Sequence, residues 1–175
     1  MIVERLDEAG ISYMVTGSVA LAVYATPRMT RDIDFVVEIA PREIDTIVGL
    51  FAGDCFVNAE AVRTAVATAG MFNIIHNEWI IKADFVVRKD EPYRITEFER
   101  RRVIEIEGHP VSFVAPEDLV LSKLCWGRES ASELQERDVR DLLDAAPDLD
   151  LDLDYLRRWA AALGIGEQLE RLREP

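Results

Sequence analysis

This chain is poor in cysteine, in histidine and in positive charge, and each shortage excludes something. Its two cysteines, Cys55 and Cys125, both sit among apolar residues. They read as buried thiols of a reducing cytoplasm, not as a disulfide framework or a metal site. No Ser-His-Asp or Cys-His set stands out, so a protein nucleophile is not the obvious chemistry. Lys and Arg number 20 against 33 Asp and Glu, for a formal charge of −13. A broad nucleic-acid footprint needs a basic face, so this balance argues against tight nonspecific binding to DNA or RNA. It leaves room for a local contact with one RNA end. No apolar run is long enough to cross a membrane, and neither a signal peptide nor a targeting tail is evident. The expectation is a cytoplasmic protein.

What is present suits one domain with a proper core, at 175 residues of which 49% are hydrophobic. Within it, Asp32 and Asp34 are the most informative pair. They lie in Thr30-Arg31-Asp32-Ile33-Asp34-Phe35-Val36-Val37, a run whose apolar residues mark it as a strand. Side chains two apart on a strand share a face, so both carboxylates point the same way. Like charges side by side raise one pKa unless a cation sits between them. Mg²⁺ fits, because it takes hard oxygen ligands and leaves room for substrate phosphates. A bare Asp-x-Asp is as readily the polar face of an edge strand, so the surroundings must decide.

Before the pair, Ile11–Thr16 reads as a buried strand and Val19–Ala25 as an apolar helix that Pro27 closes. Gly17-Ser18 joins them, with Ser18 as the expected N-cap. A strand, a Gly-Ser turn and a helix start present free N–H groups and partial positive charge, which suits a phosphate. An isolated Gly-Ser is more often only a turn and a cap. After the pair, Phe72–His76 and Trp79–Val87 read as two strands of a hairpin joined by Asn77-Glu78. The second carries Asp84 among apolar residues, where a carboxylate is seldom buried without a partner. It is either a water-facing strand residue or the third member of a carboxylate cluster.

Gly17-Ser18, Arg28-x-Thr30-x-Asp32-Ile33-Asp34 and Lys82-Ala83-Asp84-Phe85 together resemble the nucleotidyltransferase superfamily with the polymerase-beta-like fold. The order is a Gly-Ser turn, an Asp-x-Asp on the next strand and a third acid on a later one. The chain looks most like the small bacterial AbiEii toxin-like nucleotidyltransferases. Those also carry a Gly-Ser-x-Ala-Leu helix start and a Pro-Glu-Asp-Leu…Lys-Leu helix, matched by Gly17–Leu21 and Pro116–Leu124. The likeness covers about residues 11 to 144. It implies an α/β (α+β) nucleotidyltransferase fold, a mixed twisted sheet flanked by helices with a small C-terminal helical part. Residues 1–146 would form the nucleotidyltransferase domain, and 147–175 a helical extension packed on it.

The resemblance also implies roles. Gly17 and Ser18 would hold the triphosphate of an NTP, ATP among them. Asp32, Asp34 and Asp84 would bind Mg²⁺ (or Mn²⁺), and Asp84 could take the proton of an attacking hydroxyl. Two such cations can stabilise both oxygens of an in-line displacement at phosphorus, a chemistry that depends on positioning and charge more than on protein nucleophiles. The acceptor hydroxyl would belong to an RNA end, a protein or a small molecule, with a cognate antitoxin as a further partner. The rival is a catalytically inactive member of the fold that binds a nucleotide or a protein.

Cationic side chains near the acids have two readings. Arg28, Arg31 and Lys82 either touch phosphates or balance charge on exposed loops. Lys82 is the strongest of these, being two residues before Asp84 on the same strand face. Lys123, in Leu-Ser-Lys-Leu, is either a phosphate contact or a solvated helical lysine. It could also join Arg128, Arg137, Asp138, Arg140 and Asp141 in an exposed network between helices, worth little stability. His76, on the hairpin, is more readily a packed residue than a site residue. Asn73 lies on the same strand.

The remainder reads as scaffold. Helices are expected over Met1–Ala9, Pro41–Ala52, Ala59–Ala69 (capped by Asn58, ended by Gly70), Pro116–Arg128 and Ser132–Ala145. Leu119, Val120, Leu124 and Trp126 would be the apolar positions of the fourth. Strands are expected over Arg101–Glu107 and Val111–Val114. Arg94 and Arg100–Arg102 would make a small positive patch. Asp144, Asp148, Asp150, Asp152 and Asp154 form a solvated acidic run before two last helices, Leu153–Leu163 and Gly166–Arg173, whose apolar stripe packs inward or forms a dimer contact.

Overall fold

The computed structural model describes residues 1–30, 32–130 and 132–173. Arg31 therefore lies outside the described residues. The chain opens with helix α1 (Ile2–Glu8), strand β1 (Tyr13–Thr16), helix α2 (Gly17–Tyr24) and strand β2 (Asp32–Val37). A short 3₁₀ turn at Pro41–Glu43 leads into α3 (Ile44–Phe51), β3 (Cys55–Val57), α4 (Ala59–Thr68), β4 (Met71–His76) and β5 (Lys82–Val87). Then come α5 (Pro92–Glu99), β6 (Arg102–Ile106), β7 (His109–Phe113), α6 (Pro116–Ser130) and α7 (Glu133–Asp144). The chain closes with α8 (Ala146–Leu149), α9 (Leu153–Ala162) and α10 (Gly166–Arg173).

The strands make one mixed seven-stranded sheet in the order β3-β4-β5-β2-β1-β7-β6. At its centre β2 and β5 run parallel, pairing Asp32 with Lys82 and Asp34 with Asp84. β1 runs antiparallel to β2 and sets Thr16 against Asp34. Alternation then sorts the residues by face. Phe35 and Phe85 point away from the acids and stack at 5.1 Å, and Phe72 stacks on Phe85 at the same distance. This aromatic row is the centre of the core, with α3 and α4 packed against that half of the sheet. Burying such rings makes a large favourable contribution to the sheet.

Local chemistry explains most element ends. Asn58 Oδ1 accepts from the N–H groups of Glu60 and Ala61, capping α4 as expected. That helix stops one residue earlier than the sequence suggested, because Ala69, not Gly70, takes the left-handed cap at φ 48°. Ser18 is not an N-cap. It lies inside α2, and Thr16 precedes the helix without a side-chain cap bond. The hairpin is looser than expected as well. β5 starts at Lys82, and Ile80 takes φ 52°, so Trp79, Ile80 and Ile81 are turn residues that stay largely exposed.

Burial also revises the helices. Trp126 is half-exposed instead of joining Leu119, Val120 and Leu124 in the core. The basic patch expected of Arg94 and Arg100–Arg102 is broken up by pairing inside the protein. Arg100 pairs with Glu117 and Asp118, and Arg94 with Glu97. The acidic run is exposed, and Asp152 caps α9 through the Tyr155 N–H. Leu156, Leu169 and Leu172 of the last helices belong to the main core, and α9 packs on α6 while α10 packs on α7. Cys55 and Cys125 are buried free thiols. Among the described residues no helix is long and apolar enough to cross a membrane.

Candidate active site

The site is assembled by the parallel pairing of β2 and β5. That register puts Asp34 directly beside Asp84, on the face opposite the phenylalanine row. Asp32 shares the face by its spacing. At the neighbouring β1 edge the chain turns through Gly17, at φ 64°. A Cβ built on Gly17 would stand 2.0 Å from Asp34 Oδ2. Glycine is thus required twice, for its dihedral and for its missing side chain. The group that crowds the turn is the protein's own carboxylate.

These acids are short of partners. Among the described residues neither the Asp32 nor the Asp34 carboxylate receives a hydrogen bond. Asp84 Oδ2 pairs with Lys82 Nζ at 2.6 Å, but its Oδ1 is buried without any partner. Burial pushes the Asp34 pKa up, and the nearby charges of Asp84 and Asp32 push it further, against weaker pulls from Lys123 and Lys82. Among the described residues no three His, Cys, Asp or Glu side chains form a ready-made metal cage. The donors are nonetheless of the right kind for a hard cation. They are all carboxylate oxygens, and one of them is orphaned in the interior.

Beside the acids lies a second, fully paired set. Asp138 on α7 is 1% exposed. Lys123 Nζ reaches its Oδ2 at 2.6 Å, and Arg28 Nε lies 3.0 Å from its Oδ1. Arg28 Nη2 also donates to Ser18 Oγ, and Lys123 Nζ to Gln135 Oε1 at 3.3 Å. This cluster fastens the loop after α2 and the turn before it to α6 and α7. Lys123 is buried, not solvated, and burial lowers its pKa. The exposed inter-helix network expected from the sequence is thus a compact buried one around Asp138. Asp138 was missed as a site residue because nothing in its spacing on α7 reveals a partner on the distant Arg28 loop.

A trough of about 420 Å³ runs along the acid face. Gly17, Ser18, Asp34 and Lys123 line it, and Val36, Val86 and Trp126 continue its walls. Asp32, Asp84 and Lys82 do not line it. His76 belongs to the other face, where it stacks on Trp79 at 4.1 Å and its Nδ1 accepts from two backbone N–H groups. Asn73 sits opposite Asp84 on β4 and is exposed.

Comparison with known proteins agrees with this architecture. The profile of a family described as nucleotidyltransferase of unknown function (DUF6036) matches residues 2–170. No curated protein matches the chain. Among solved structures, an antigenic nucleotidyltransferase-like protein from Paracoccidioides brasiliensis superposes with a TM-score of 0.61 at 16% identity, over 99% of this chain and 88% of that one. The antibiotic-resistance factor ANT(2'')-Ia superposes at 0.57 with 18% identity, over 95% and 93%. The lincosamide antibiotic adenylyltransferase LnuA, with lincomycin bound, superposes at 0.52 with 11% identity, over 81% and 91%. At such identities the likeness is one of fold.

Proposed function

This chain belongs to the DUF6036 family of nucleotidyltransferases, and from that premise we propose that it transfers a nucleoside monophosphate from an NTP to an acceptor hydroxyl, releasing pyrophosphate. The observation that carries this reading is the unpaired carboxylate set, with Asp34 unbonded and crowded against Gly17 and Asp84 Oδ1 orphaned. Asp32, Asp34 and Asp84 would hold Mg²⁺ or Mn²⁺. Bound there, the cation would neutralise the triphosphate and favour ionisation of the acceptor hydroxyl.

The chain's own groups supply the remainder. Gly17 and Ser18 would receive the triphosphate on backbone N–H groups at the start of α2. Arg28 and Lys123, anchored by Asp138, set the position of that turn and keep positive charge beside it. Lys82 holds Asp84, whose carboxylate would accept the hydroxyl proton as the new O–P bond forms and the bond to pyrophosphate breaks. Asp32 and Lys82 begin their strands at the same sheet edge. Met29, three residues before Asp32, and Ile80, two before Lys82, are more than half exposed. An exposed apolar rim of this kind suits a macromolecular acceptor, an RNA end or a protein, and equally an antitoxin that covers the site. A small-molecule acceptor, as in the antibiotic adenylyltransferase that shares the fold, would need less of it.

Thermal stability with each NTP, with and without Mg²⁺ or Mn²⁺, tests the reading. A ligand that binds only the folded state raises stability by mass action. A metal-dependent rise in wild type that is lost in Asp34→Ala is the expected outcome. Absence of any rise with every NTP would sink it.

A further inference from the structure

We propose that the α5 wall of the trough reads the base of the donor nucleotide, and that Arg94 selects guanine or cytosine. This deepens the proposed function and rests on it. The trough's volume falls within the ~300–1,000 Å³ of ordinary ligand pockets, which admits a nucleoside but not an RNA or a protein. A macromolecular acceptor must come to the open edge at Asp32 and Lys82, which do not line the trough. The space that continues from Gly17, Ser18 and Asp34 is then left to the donor. Val36, Val86, Leu119 and Trp126 give it apolar and aromatic walls, suited to a flat base.

The polar groups of the α5 wall are arranged, not scattered. Glu97 is 2% exposed, and both its oxygens are engaged inside the protein. Oε2 takes Arg94 Nη1 at 2.8 Å, and Oε1 takes the Ser122 hydroxyl. Arg94 Nη1 also donates to Ser122 Oγ at 3.0 Å. One corner of the guanidinium is therefore clamped from beneath. Its Nε and Nη2 make no hydrogen bond with the described residues, and Arg94 lines the trough with Arg88 and Lys89. That free edge is a two-donor fork held in fixed orientation. A two-donor fork wants two adjacent acceptors. Guanine offers O6 and N7, and cytosine offers O2 and N3. Adenine sets an amino group beside its N7, and uracil sets an N–H between its carbonyls, so each would oppose a donor to a donor.

Titration of GTP, CTP, ATP, UTP and inorganic triphosphate with Mg²⁺, in wild type and Arg94→Lys, tests this. Arg94→Lys keeps a cation over the buried Glu97 but removes the fork. The expected result is GTP or CTP binding roughly ten- to a hundredfold tighter than ATP and UTP. In Arg94→Lys the four should converge to within a few-fold, with inorganic triphosphate unchanged. Equal affinities in wild type, a preference for ATP or UTP, or a preference that survives Arg94→Lys each overturn the inference. So does an equal loss of triphosphate binding, which would make this wall a phosphate site. The wild-type series decides the preference even if the variant does not fold. If neither triphosphate nor any NTP binds, the proposed function fails, and this inference with it.

Discussion

Two groups of carboxylates in this molecule are treated in opposite ways. At the start of α6, Glu117 and Asp118 are almost wholly buried, and each oxygen of both finds a donor. Arg100 bonds to both residues, Tyr155 donates to Asp118 Oδ1 at 2.6 Å, and the Asp152 N–H reaches Glu117 Oε1. Arg100 also lies over the Tyr155 ring at 3.9 Å. On β2 and β5 the acids are less buried, yet among the described residues Asp34 has no donor and Asp84 keeps an orphaned oxygen. A chain that can satisfy the deeper pair so fully has the means to satisfy the shallower set. The difference separates acids that tie α5, α6 and α9 together from acids that, under the proposed function, would take a cation.

That contrast can be broken experimentally. The largest stability loss is expected from Arg100→Ala, which strands two buried carboxylates and should cost about 3–5 kcal/mol in urea unfolding. NTP affinity measured on the folded fraction should not change. Next is activity in Asp34→Asn, expected to fall by about a hundredfold or more by pyrophosphate release, with circular dichroism unchanged. If that variant also unfolds, the acids are structural and the contrast collapses.

Tyr155→Phe removes one donor from Asp118 and should cost about 1–2 kcal/mol. Without ligand, the same Asp34→Asn should stabilise by about 1 kcal/mol at neutral pH, because it relieves a charge that burial, Asp84 and Asp32 all oppose. The sign follows from the raised pKa. The penalty is absent below the ordinary aspartate range, grows as pH rises from there to the shifted value, and is constant above it. Added Mg²⁺ should raise the Tm of wild type and not of the variant.

The smallest effect sharpens the other side of the comparison. Burial pushes Asp118 up to about 6 despite Tyr155 and Arg100. Its contribution to stability should therefore decline as pH rises from about 4 to about 6. The difference between wild-type and Asp118→Asn unfolding profiles should change across that window and be flat above it.

Much of the site could be read before the fold was known. The period of two in Asp32-Ile33-Asp34-Phe35 put both acids on one face and Phe35 on the other. Lys82 and Asp84 followed the same rule, and their shared face lets them form an ion pair that was not expected. Asn58 announced the α4 cap. Other features depended on contacts that no local pattern carries. Ser18 looked like a cap and instead receives Arg28. Lys123 read equally as a phosphate contact or a solvated residue, because helical periodicity cannot tell a solvated lysine from one that faces a buried aspartate. Arg94 and Arg100 looked like a positive patch. The acids that take Arg100 lie 17 and 18 residues on, and Glu97, only three residues after Arg94, engages it from a buried position.

The sequence by itself determined most strand and helix types, though not β3, α5 or α8, together with the shared face of Asp32 and Asp34 and the turn at Gly17. Each is set by neighbours within a few residues. Only the tertiary structure decided which acids remain unpaired. That outcome depends on β5 lying parallel beside β2, on Asp138 of α7 gathering Lys123 and Arg28, and on Arg100 reaching Glu117 and Asp118. Charge pairing acts through space, and residues 110 positions apart, such as Arg28 and Asp138, meet only when the chain has folded.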